Sequence, residues 1–167
     1  MADDAEPRWL TEEQTRAWIA LAGAMVALPA ALDAQLQRDA GITHVEYQVL
    51  SWLSMSPGRT ARMSDVAATA NVNLSHLSRI ATRFEQRGWL RRVPDPDDRR
   101  ATLAILTDAG WDKVVATAPG HVEEVQRIVF DSLTTAQVRQ LEQIGERILK
   151  AAKPGASLRL PPRAAPD

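Results

Sequence analysis

The sequence predicts a mainly α chain with one small β element (α+β), and three observations lead there. Apolar residues recur at three- and four-residue spacing through most of the 167-residue chain, the mark of helices with one buried stripe. Between Trp89 and Leu106 two short runs flank a charged tip with two prolines, as the strands of a β-hairpin do. Just before that hairpin stand two short helical segments separated by Asn71-Val72-Asn73. Two helices across a tight turn, followed by a hairpin, are the parts of a winged helix-turn-helix whose hairpin is a two-stranded wing.

Residues 1–10 are acidic and polar, with Pro7, and are expected to form a flexible N-terminus. Thr11 followed by Glu12, Glu13 and Gln14 reads as an N-cap with a first turn that suits the helix dipole. The helical region it opens spans 11–40, with Trp18, Leu21, Ala22, Met25, Leu28, Leu32 and Leu36 as its stripe. Pro29 is expected to kink or divide this helix near Leu28, and Gly41 to end it.

Thr43 caps a second helix, His44 to Met55, stopped by Ser56-Pro57-Gly58. A short helix over Arg62–Ala70 follows, with Ser64 as its expected cap. Asn73 caps a helix from Leu74 to about Arg87, closed by Gly88. In it Leu77, Ile80, Ala81 and Phe84 face the core, which turns Ser75, His76, Ser78, Arg79, Thr82 and Arg83 towards solvent or a partner.

The wing strands are expected at Trp89–Val93 and Ala101–Leu106. Thr107-Asp108 opens a helix reaching about Leu133, bent at Pro119-Gly120. Thr134 caps a last helix, Thr135–Lys150, with Val138, Leu141, Ile144, Ile148 and Leu149 apolar. The Pro-rich stretch 154–167 is expected to be a disordered tail. This organisation gives a DNA-binding lobe at 43–107 and a C-terminal helical region at 108–153.

Whole-chain net charge is -1, but the distribution is uneven. Nine of the 20 basic residues, all arginine, fall between Arg59 and Arg100, opposed there by Asp65, Glu85, Asp95, Asp97 and Asp98. A basic middle between acidic flanks suits a local phosphate-facing surface and a double-stranded DNA partner. The absence of Cys excludes disulfides, thiolate metal sites and cysteine redox sensing. The apolar patch from Ile19 to Leu36 is interrupted by Gly23, Pro29, Asp33 and Gln35, so neither a signal nor a membrane span is expected, and the location is expected to be cytoplasmic.

Catalytic and metal chemistry finds no support in the residues. His44, His76 and His121 are far apart, and there is no HExxH, no G-x-S-x-G and no phosphate-cradling glycine loop. Asp95, Asp97 and Asp98 lack the spacing and closing Glu of a calcium loop. The expectation is no enzyme, no metal and no cofactor.

A helix fits the major groove, and its first turns reach base edges. Ser75, His76 and Ser78 allow close approach there, while Arg79 and Arg83, one turn apart, reach a phosphate or a guanine edge. At the wing tip, Arg99 or Arg100 suits the minor groove, and Asp98 pairs with Arg100 to support the tip.

Three runs then carry a resemblance. Phe84-Glu85-Gln86-Arg87-Gly88-Trp89-Leu90, the run Asp95-Pro96-Asp97-Asp98-Arg99-Arg100, and Leu106-Thr107-Asp108-Ala109-Gly110 resemble the wing signature of the MarR family of bacterial transcription regulators, over roughly residues 15 to 152. The resemblance implies a homodimer joined by interlocking N- and C-terminal helices and bound to a pseudo-palindromic site. It also implies a repressor that releases DNA when a small aromatic or anionic effector binds. Ser75, His76, Ser78 and Arg79 would face bases, and Arg99 and Arg100 would serve the wing. An effector pocket between the dimerisation helices and the lobe would draw on Trp18, Met25, His44, Tyr47 and Trp52. Pro29 and the Pro-rich tail depart from the family pattern, and the lack of Cys rules out its thiol-sensing branches.

A dimer also follows from the residues. One small lobe offers few phosphate contacts, whereas two joined lobes gain from effective concentration. Ile128, Val129, Leu133, Leu141, Ile144 and Ile148 need burial somewhere. The competing reading is a protein–protein interaction module built on a winged helix without specific DNA binding.

Overall fold

The computed structural model describes residues 7–154; the tail expectation for 155–167 and that for residues 1–6 lie outside the described residues. Helix α1, Glu12–Ala40, starts at a reciprocal capping box between Thr11 and Gln14. It ends at Gly41, whose N–H donates to Gln37 and Leu36 carbonyls. The helix is not divided at Pro29: it runs unbroken through that residue. Proline forfeits one backbone bond, but flanking alanines favour helix and the following turns are anchored by buried Leu32, Gln35 and Leu36.

Helix α2, His44–Met55, starts at a second capping box, Thr43 with Glu46. A further strand, which no sequence pattern marks, follows: β1, Thr60–Arg62. Helix α3, Met63–Thr69, is capped at Arg62 without a side-chain bond, so Ser64 is not its cap; the Ser64 hydroxyl donates to Asp65 instead. Helix α4, Leu74–Gln86, is capped by Asn73, whose side chain accepts from the His76 N–H at 2.7 Å. It turns at Gly88 with φ 72°, a left-handed conformation that costs glycine little.

Strands β2, Leu90–Pro94, and β3, Thr102–Leu106, are antiparallel, with Leu90 opposite Leu106 and Pro94 opposite Thr102. They form the wing, and β1 adds to the far side of β3, giving a three-stranded sheet in the order β1-β3-β2. Pro94 is tolerated because β2 is an edge strand that needs no donor on its outer side.

Helix α5, Asp108–Val125, likewise continues past Pro119 and passes into a π-helical turn, Gln126–Phe130. Its start is pinned to the α4–β2 turn: the Thr107 hydroxyl donates to Gly88 O at 2.6 Å and the Thr107 N–H to Trp89 O at 3.1 Å. Gly110 sits against this turn so closely that an added Cβ would lie 2.1 Å from Trp89 O. Helix α6, Thr135–Ala152, opens with a capping box between Thr134 and Gln137.

The core lies within the lobe, where Phe84, Leu77 and Ile80 of α4 meet Leu50, Leu53 and Val49 of α2 and Leu36 of α1. This burial fixes which side of α4 is outward. The outer half of α1 and all of α6 are different. Trp18, Ile19, Met25, Val26, Leu141, Ile144 and Ile148 are exposed in the single chain, and α6 buries no residue. An apolar groove of about 780 Å³ runs between α1 and the π-helical turn, with Leu141 of α6 at its side, lined by Leu21, Met25, Leu28, Ile128 and Val129. By length and composition α1 could also cross a membrane, with an 18-residue window of mean hydropathy 1.7. That corrects the expectation that no such run exists; buried core helices and N-terminal signal sequences meet the same criterion.

Candidate nucleic-acid interface

Because Leu77, Ile80, Ala81 and Phe84 point inward, the opposite face of α4 presents Ser75, His76, Ser78 and Arg79 together. Ser75 and Arg79 are exposed, and His76 and Ser78 half-buried. The wing tip carries Arg99 and Arg100, both exposed. Between helix and wing lies a concave surface of about 370 Å³ with a mixed polar and apolar lining, where Arg92, Asp98, Arg100 and Ser78 stand beside Met63 and Leu74. An arginine-edged cleft beside an exposed helix face is a shape that takes a phosphate backbone.

The tip holds its shape through carboxylates. Asp98 accepts from the Arg100 backbone N–H at 3.1 Å, and its side chain pairs with the Arg100 guanidinium at 3.5 Å. This is the pairing expected from the Asp98-x-Arg100 spacing. Asp95 is buried at the base of the tip, where it accepts from the Asp97 N–H at 3.0 Å and from Arg62 Nε at 2.8 Å. The Asp97 N–H first, and Arg62 after it, hold the Asp95 carboxyl below the ordinary carboxylate value. Strand β1 thereby ties the wing to the lobe through Arg62, a role no local sequence signal announces.

Arg83 is placed differently from the sequence expectation. Its guanidinium donates twice to Glu46 Oε1 on α2, at 2.7 and 3.0 Å. Burial pushes the Glu46 carboxyl up, but the Thr43 N–H and the Arg83 guanidinium outweigh it and hold it low. Arg83 therefore fastens α4 to α2, and only Arg79 of the pair stands clear as a cation on the outer face.

The five residues expected around an effector divide into separate places. His44 and Tyr47 converge on His121 of α5, with ring centroids 6.1 and 4.6 Å from it. Met25 lines the apolar groove instead, Trp18 is exposed on α1, and Trp52 is exposed on α2. The Nδ1 atoms of His44 and His121 are buried without a hydrogen-bond partner. Burial lowers the pKa of both rings; Asp33 partly opposes this at His44, and His44 adds to it at His121. His121 joins this group only through the packing of α5 on α2, which residue spacing does not reveal.

Comparison with known proteins decides the family. Residues 40–101 match the sequence profile of the MarR family. The chain is 43% identical to Sco3205, a MarR family transcriptional regulator from Streptomyces coelicolor solved in complex with DNA; the likeness covers 93% of this chain and 98% of that one, with a TM-score of 0.83. The chain belongs to the MarR family. A second MarR-family regulator from the same organism, AbsC, is 33% identical with a TM-score of 0.80, over 87% of this chain and 98% of AbsC. A curated relative, the HTH-type transcriptional regulator YdcH of Bacillus subtilis, is 25% identical over 76% of this chain and 80% of its own. As a MarR-family chain this is a transcriptional regulator and not an enzyme, and its mainly α winged helix-turn-helix architecture is the one the sequence predicts. The elements seen here account for the family-like runs: Glu85 and Gly88 shape the end of α4, Asp95 and Asp98 shape the tip, and Gly110 seats α5.

Proposed function

We propose that this MarR-family chain acts as a cytoplasmic homodimer that binds a pseudo-palindromic site in double-stranded DNA and represses transcription there. The observation that carries this reading is the outward face of α4, where Ser75, His76, Ser78 and Arg79 stand beside a wing bearing Arg99 and Arg100. In this reading α4 enters the major groove, Arg79 meets a phosphate or a guanine edge, and the wing arginines reach the flanking minor groove. Asp98 keeps the tip in shape. Two copies join through the exposed apolar faces of α1 and α6, which supports one half-site per lobe.

A small aromatic or anionic effector is proposed to release the DNA. The support is the group His44, Tyr47 and His121 at the junction of α2 and α5, with two unpartnered ring nitrogens. A bound molecule there would bear on the start of α2, whose Glu46 holds Arg83 of α4.

The test is selection of duplexes from random-sequence DNA by the purified protein, followed by shift assays at two salt concentrations. Enrichment of one two-fold-related sequence, bound with steep salt dependence, supports the reading. No retention at low salt refutes it and favours the protein-interaction alternative.

A further inference from the structure

Arg92, on wing strand β2, is half-buried between the wing and α4, and its guanidinium is taken up by partners on α4. Its Nε and Nη2 donate to Glu85 Oε2 at 3.1 and 2.5 Å. Its backbone N–H donates to Glu85 Oε1 at 3.0 Å, so one carboxylate of α4 grips both the main chain and the side chain of the wing strand. The remaining guanidinium donors reach the hydroxyls on the outer side of α4: Nη2 to Thr82 at 3.0 Å and Nη1 to Ser78 at 3.3 Å. One planar fork thus bridges the helix and the wing at three side chains, a geometry that a lysine ammonium cannot reproduce.

We infer that Arg92 is a positioning residue for sequence reading: it fixes the wing against α4 and orients the Ser78 hydroxyl. This rests on the DNA-binding function proposed above and assigns to it a residue that itself lies between the family-like runs. A hydroxyl whose oxygen accepts from a guanidinium presents its hydrogen away from that cation. Ser78 is thereby set up to donate, which suits the acceptors of a base edge in the major groove, guanine N7 and O6 or thymine O4. Thr82 is not equivalent. Its hydroxyl accepts from Arg92 and donates to the Ser78 carbonyl, so it is already occupied in both senses. Of the two hydroxyls beside Arg92, only Ser78 is left to read.

Bulk electrostatics and positioning make opposite forecasts for Glu85. If charge alone mattered, Glu85→Gln would remove an anion near phosphates and tighten binding to any DNA. If Arg92 positions, loosening its grip weakens binding to the preferred sequence while leaving non-specific binding intact. The experiment measures wild type, Glu85→Gln and Arg92→Lys against the best duplex from the random-sequence selection and against a scrambled duplex, over a salt series. Thermal unfolding of each variant verifies that it is folded.

Both variants are expected to lose about tenfold in preference for the selected duplex, with the salt slope unchanged. The result that overturns the proposal is Arg92→Lys binding the selected duplex as wild type does. Tighter binding of Glu85→Gln to both duplexes overturns it as well. Arg92→Ala provides a further arm. Equal loss on both duplexes, with the salt slope reduced by about one, would make Arg92 a phosphate contact and refute positioning. Wild-type protein without any sequence preference defeats the DNA-reading function itself, and is seen before any variant is compared.

Discussion

The Arg83 guanidinium of α4 rests on the buried Glu46 carboxylate of α2, 2.7 Å from Oε1, so the outward helix is held to the lobe by a charge that sequence spacing assigns to DNA. Arg83→Ala would strand Glu46, whose side chain is only 8% exposed. With Arg83 itself half-open to solvent, the pair is partly screened and the loss is about 1 kcal/mol. Arg79→Ala, on the exposed side of the same helix, should change stability by less than about 0.5 kcal/mol. Urea unfolding of the two variants checks this, and equal stability losses would contradict the assignment of Arg83 as a tether.

The matching expectation for DNA concerns Arg79 and Arg99, which are both exposed. Replacing both with Ala should abolish detectable binding to the selected duplex in a shift assay without unfolding the chain. At low salt the remaining affinity should show a salt slope reduced by about two per protomer. Unchanged affinity would remove both residues from the interface.

Gly110→Ala places a methyl 2.1 Å from the backbone oxygen of Trp89 and 2.6 Å from a Leu106 methyl. Because one of the opposing atoms belongs to the main chain, α5 must shift off the α4–β2 turn. The expected loss is about 1–3 kcal/mol, as for overpacked cores. A calorimetric melt reads it directly. A wild-type melting temperature would mean that the approach of α5 to Trp89 is not fixed.

The exposed stripe of α6 should be covered by a second copy. Ile144→Asp combined with Ile148→Asp, at positions 55% and 45% exposed in the single chain, is expected to convert a dimer to a monomer in sedimentation equilibrium. The buried lobe core does not include these residues, so the lobe should keep its helical signal. A dimer that survives both charges would move the interface elsewhere.

His44 and His121 give the pH dependence. Burial depresses both rings below the ordinary histidine value of about 6.5. As pH falls below that value the unfolded chain takes up protons that the folded chain refuses, so stability falls with pH. The carboxylates held low, Glu46, Glu85 and Asp95, lose their contribution only in the more acidic range through and below about pH 4.5. A decline in melting temperature between about pH 6.5 and 5 therefore belongs to the histidines. His44→Gln with His121→Gln should flatten it, and an unaltered decline would place its origin in other groups.

Helix α4 shows why so much of the architecture was legible. Asn73 marks its start, Gly88 its end, and four apolar residues at helical spacing fix its inward face. Periodicity and caps are local properties, and the structure follows them. What escaped is long-range or marginal. Strand β1 has three residues, too few for an alternating pattern, and exists because β3 offers a free edge. Pro29 and Pro119 read as breaks because the local cost is visible, whereas the packing of α1 on α5 that outweighs it is not.

The candidate interface divides in the same way. Exposure of Ser75, Arg79 and Arg99 followed from facing and turn rules. The partners of Arg83, Arg62 and Arg92 did not follow, since Glu46, Asp95 and Glu85 reach them only through packing between elements. An arginine in a basic sequence region looks like a DNA contact until its carboxylate partner is located.

In the proposed function the α4 face and the wing read DNA sequence as a dimer. The most direct measurement is selection of bound duplexes from random-sequence DNA, with the mass of the complex determined on the winning duplex. One two-fold-related sequence, bound by two protomers, is expected to win, with preference over scrambled DNA of at least about a thousandfold at physiological salt. Enrichment without any shared sequence, or no DNA retained at low salt, would contradict it.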